Sequence, residues 1–176
     1  MNGDVAAAGL GAPHPAGVAV VLWAAMGLWA AMGVWVSWTD LRTGLIPRRV
    51  VWAAGAAVAG LLGGAAAWLG DPARVLWAVG GAGSLLAVFE VLYRWRPEAV
   101  GYGDVRLIAV NGLLAGWWGP MWSWLALLAG AVAQWPFAAA AVARHGRRAQ
   151  VRWAPGLVVG AAAVVASRWW FEGIVG

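Results

Sequence analysis

The chain has 176 residues, 63% of them hydrophobic and only 11% charged, with a net charge of +5 and a mean hydropathy of +0.74. A soluble domain carries about 25% charged residues, so this composition excludes a water-soluble globule. The chain has no cysteine, which excludes disulfides, iron–sulfur clusters and thiolate zinc sites.

The apolar runs are continuous and about 20 residues long, as transmembrane helices require. A membrane barrel would instead show segments of about ten alternating residues. The expected fold class is therefore all-α, a polytopic bundle of about six transmembrane helices. The two histidines, His14 and His145, stand far apart in polar ends or loops, and no metal or cofactor is expected.

Residues 1–16 contain no Lys or Arg, so they lack the basic region of a secretory signal. They are expected to form a short extracytoplasmic tail, with residues 17–176 as one transmembrane domain. The first span is expected over 17–38, closed by Asp40, and the second over 50–69. The run "AAGAAVAGLLGGAAA" in the second reads as small residues for close helix packing. The third span is expected over 73–93, with Glu90 four residues before Arg94 and able to pair with it. The fourth, 105–118, is short and needs Arg106 to snorkel to the interface. The fifth and sixth are expected over 121–142 and 154–170. Trp117, Trp118, Trp169 and Trp170 fit interfacial belts at span ends.

All twelve basic residues are arginines. Ten of them lie on alternate connections, and only Arg74 and Arg168 lie on the other side. The positive-inside rule puts the ten in the cytoplasm and both termini outside. Although the pI is about 11.3, the arginines sit in short connections between spans. They point to anionic lipid as neighbour, not nucleic acid. Heavy Ala, Gly and Arg usage suggests a bacterial source, hence the bacterial cytoplasmic membrane.

Of seven acidic residues, Asp4, Asp71, Glu98 and Glu172 read as solvated. Asp40 and Asp104 do not. They close span one and open span four at the same face, so two carboxylates from different helices can meet there. Asp104 alone could be a helix N-cap. Asp40 opposes the dipole at a helix C-terminus, with Arg42 nearby to compensate. Paired carboxylates share one proton, so one can act as general base on a water and the other as general acid. Gly101 and Gly103, in "GYGD", would leave room for an extended peptide beside Asp104.

The segments "DLRTGLIP" (40–47) and "GYGDVRL" (101–107) resemble the two motifs of the type IV prepilin peptidases, GxGD-type membrane aspartic proteases that include short Tad-type and archaeal preflagellin forms. A weaker echo is "WAPGLVVG" (153–160), placed like the Pro-Gly segment opening that family's last helix. The resemblance implies Asp40 and Asp104 as catalytic residues. Ile46 and Pro47, with Gly101 and Gly103, are candidates for substrate contact. It also implies a prepilin or pseudopilin precursor as partner, cut between a short basic leader and an apolar helix at the cytoplasmic face. Glu98 or Glu90 is a candidate receiver of the leader's charge. Arg48 stands where the family usually has Asn, and Arg106 where it commonly has Lys. Longer members carry a cysteine-containing cytosolic insertion and a methyltransferase activity. This chain lacks both insertion and cysteine, so peptidase activity without N-methylation is expected. A proton- or cation-coupled transporter using the two carboxylates and a non-catalytic pilin-binding relative remain as alternatives.

Overall fold

The computed structural model describes residues 16–98, 100–146 and 151–175. Six α-helices occur among them: α1 Ala16–Thr43, α2 Arg48–Leu69, α3 Ala73–Trp95, α4 Tyr102–Ala115, α5 Pro120–His145 and α6 Ala154–Val175. All but α4 are long and apolar enough to cross a membrane. No strand occurs among the described residues. The tail expected over 1–16 lies almost wholly outside them.

Each long helix is apolar around its full circumference, so the sequence alone does not show which face turns inward. Packing selects one. On α1 the buried residues are Val18, Leu22, Ala25, Trp29, Met32, Gly33, Val36 and Asp40, a stripe of three- and four-residue steps. Asp40 is thus the last member of a core-facing row. Large side chains such as Val20, Trp23, Trp68, Trp95 and Trp135 remain exposed on the outside, where a bilayer would cover them.

Helix α4 is the axis of the bundle. It packs against α2, α3, α5 and α6, and nine of its fourteen residues are buried. At about 1.5 Å per residue it spans about 21 Å, less than a bilayer core. A helix enclosed by protein on most sides has no need of full length, because neighbouring helices rather than lipid meet its ends. Arg106 stacks on the Tyr102 ring at 4.2 Å. A short 3-10 turn, Gly116–Trp118, ends the element.

Glycines bring the central backbones together. Any side chain on Gly112 would meet Leu85 and the Ala82 backbone of α3, and one on Gly55 would meet Val110. By contrast, Gly60, Gly63 and Gly64 face open space. The small-residue run of α2 therefore serves packing at only some of its positions. Trp117 also departs from expectation: it is 1% exposed and belongs to the core rather than to an interfacial belt. Trp170, at 67%, is exposed. The Glu90–Arg94 pair forms as its spacing predicts, at 3.0 Å.

Candidate active site

The C-terminal end of α1, the N-terminal turn of α4 and the start of α6 converge at one end of the bundle. Among described residues, Arg42, Arg48, Arg49, Arg94, Arg96, Arg106, Arg144 and Arg152 lie toward this end, with Arg74 and Arg168 toward the other.

Helix α1 does not stop at Asp40 but continues one turn further. Gly44 then adopts φ +71 and its N–H donates to the Asp40 carbonyl at 2.8 Å, a left-handed glycine cap. Thr43 contributes its hydroxyl to the Thr39 carbonyl and accepts from the Leu45 N–H. Pro47 occupies the N-cap of α2 and Arg48 is the first helical residue. Two tight ends within eight residues thus fix where Asp40 stands relative to Ile46.

Asp40 is 6% exposed. Its Oδ2 accepts a hydrogen bond from the Ala154 N–H at 3.3 Å. The positive end of α6 thus meets a carboxylate that opposes the dipole of its own helix. Arg152 adds a favourable charge. The expected compensator, Arg42, instead stacks on the Trp38 ring at 3.9 Å. Chain neighbours suggested Arg42, but the actual partners come from more than 100 residues away in sequence.

Asp104 is not an N-cap. Gly101 takes that position, with extended backbone. Asp104 lies three residues later, and its N–H and that of Val105 both reach the Gly101 carbonyl. The Asp104 carboxylate folds back against Gly101. A Cβ on Gly101 would stand only 2.9 Å from Asp104 Oδ2. That glycine therefore makes room for the carboxylate itself.

Gly103 has another reason to be glycine. A Cβ there would come within 2.7 Å of the Ile46 Cβ. The space expected to admit an extended peptide is filled by Ile46. The two motif segments are consequently joined by direct packing of Ile46 on Gly103, which holds the α1–α2 turn against the start of α4. Of the candidate substrate-contact residues, Gly101, Gly103 and Ile46 are engaged within the protein, and Pro47 caps α2.

The charge on Asp40 acts on Asp104 across the gap between them, so the two carboxylates form an electrostatically linked pair. Asp104 also lines a cavity of about 590 Å3 with Phe89 of α3, Ile108 of α4, Trp124 and Leu128 of α5 and Trp153 before α6. Every other described lining residue is apolar or aromatic, so Asp104 is the only charged group there among the described residues. No group of three or more potential metal ligands occurs among the described residues.

Both aspartates and their flanking segments fall within residues 26–135, which match the type IV leader peptidase family. This match covers more than half of the chain. The chain belongs to the type IV leader peptidase family. No curated protein and no solved structure gives a significant match. Family membership supports a peptidase and a membrane setting, and it places Asp40, Ile46, Gly101, Gly103 and Asp104 inside the matched residues. The first turn of α6, which bonds to Asp40, lies beyond them.

Two buried polar groups near the site had no place in the sequence reading. Asn111 accepts from Trp29 Nε1 at 2.9 Å and donates to the Leu157 carbonyl at 3.0 Å. Gln134 accepts from the Gly156 N–H at 3.1 Å. A lone amide in an apolar span is the available signal, since polar residues within membrane helices commonly join one helix to another.

Proposed function

We propose that this leader peptidase is an aspartic endopeptidase that cleaves prepilin-like precursors between a short basic leader and the apolar helix that follows. The observation that carries the reading is the convergence of Asp40 and Asp104, from two separate motif segments, beside an apolar cavity in which Asp104 is the only charge among the described residues. An apolar wall suits the hydrophobic part of such a precursor, and the adjacent carboxylate supplies the chemistry.

In the proposed mechanism the pair holds one proton between its two carboxylates. The ionised member takes a proton from water as the oxygen attacks the scissile carbonyl. The protonated member donates to the carbonyl oxygen. The member that took the water's proton passes it to the leaving amine as the C–N bond breaks, and the hydroxyl of the intermediate returns its proton to the other carboxylate. The arginine asymmetry supports a site at the cytoplasmic face of the membrane. The absence of cysteine supports hydrolysis without N-methylation.

Either Asp40→Asn or Asp104→Asn is expected to abolish cleavage while membrane insertion persists. Full cleavage by either variant would exclude the two-carboxylate mechanism.

A further inference from the structure

The first turn of a helix leaves N–H groups without partners in the same helix. In α6 each of them can be followed. Ala154 N–H donates to Asp40 Oδ2. Pro155 has no N–H to place. Gly156 N–H donates to Gln134 Oε1, and Leu157 N–H returns to the Trp153 carbonyl at 3.1 Å. Two side chains therefore hold the start of α6: Asp40 from α1 and Gln134 from α5.

Gln134 is 5% exposed and lies in an apolar stretch of α5. Burying an amide there is costly unless it is hydrogen-bonded. Its seat depends on glycine. A Cβ on Gly156 would stand 2.6 Å from the Gln134 Cβ and 3.0 Å from the Gly130 carbonyl oxygen. One turn on, Gly160 lies directly against the Gly130 backbone. These contacts set α6 close on α5, with Gln134 fixing its first turn. Ala154, two residues before Gly156, then presents its N–H to Asp40.

We infer that Gln134 is a positioning residue for Asp40, acting through the first turn of α6. The inference rests on the aspartic peptidase reading above. By holding Gly156, Gln134 fixes the Ala154 N–H and so the orientation of the Asp40 carboxylate. One oxygen of Asp40 is anchored, and the other is left for water and the shared proton. Loss of the anchor lowers the fraction of enzyme in reactive geometry without altering the apolar cavity, which Gln134 does not line.

The test uses the full-length protein in detergent and a synthetic precursor with a basic leader and an apolar helix of about 20 residues. Gln134→Met keeps side-chain length but removes the acceptor. It is expected to lower kcat about tenfold with KM unchanged. Gln134→Asn, one methylene too short to reach Gly156, should behave alike and serves if the Met variant does not fold. Gln134→Glu keeps an acceptor at the same reach and should restore most of the rate. Wild-type kcat in the Met and Asn variants would overturn the inference. So would a loss that Gln134→Glu does not rescue, since that marks a purely structural role. If the wild type cleaves the precursor and these variants do not differ from it, only the role of Gln134 fails. If the wild type cleaves no precursor, the peptidase reading fails and this inference with it.

Discussion

At the scale of single residues, the site depends on two glycines that work for different reasons. Gly101 leaves space for the Asp104 carboxylate, and Gly103 leaves space for Ile46. The two can be separated by mutation. Gly103→Ala puts a methyl group within 2.7 Å of the Ile46 Cβ, and overpacking of this kind costs about 1–3 kcal/mol. The α1–α2 turn should move away from α4, lowering cleavage about tenfold. Combining it with Ile46→Ala should recover part of the loss, because the colliding side chain is gone. Gly101→Ala should also impair cleavage, but Ile46→Ala should not relieve it. A double-mutant comparison of cleavage rates checks this, and equal relief of both glycine variants would refute the assignment.

At the scale of elements, α4 carries the most information and was the least legible in the sequence. Its position was expected, but its central place was not. Uniform hydrophobicity hides which helix is enclosed by the others. What ties it there is polar. Asn111 connects Trp29 of α1 with the Leu157 carbonyl of α6, so one amide links three helices that each contribute to the site. Asn111→Leu removes both bonds and leaves the buried Trp29 indole N–H without its partner, while the Leu157 carbonyl keeps its place in the α6 ladder. The expected cost is about 1–3 kcal/mol for the unsatisfied group, read as a lower unfolding temperature in detergent and reduced cleavage. An unchanged unfolding temperature would show that the link contributes little.

Helix ends show the same division between local and distant causes. The turn at Gly44 and the start of α2 near Pro47 were readable because glycine and proline restrict the backbone locally. The Glu90–Arg94 pair was readable because helix geometry sets its spacing. The partners of Asp40 were not. Arg152 and Ala154 reach it only once α6 has packed on α5 and α4, and no local pattern encodes that approach. Asp104 was read as a possible cap for a related reason. The residue type was right for a helix start, but the glycine three residues earlier took the cap and left the acid in the first turn.

At the scale of the whole molecule, the bundle brings its few charges to defined places. Asp40 and Asp104 stood out in the sequence because an apolar chain gives each carboxylate unusual weight. Their shared end followed from counting spans. The cavity beside Asp104 did not, since its lining comes from α3, α4, α5 and the approach to α6. On the proposed reading that cavity receives the apolar part of a precursor, which a site that merely binds an ion would not need. An ion pathway lies near the bilayer midplane in many transporters, whereas this carboxylate pair lies at one end of the bundle.

The most direct measurement is cleavage of a prepilin-like precursor from the same genome, co-expressed with wild-type protein or Asp104→Asn at matched membrane levels. The account predicts a shortened precursor with the wild type alone, resolved by gel shift and confirmed by the new N-terminus between leader and apolar helix. The same shortened product with Asp104→Asn would contradict it.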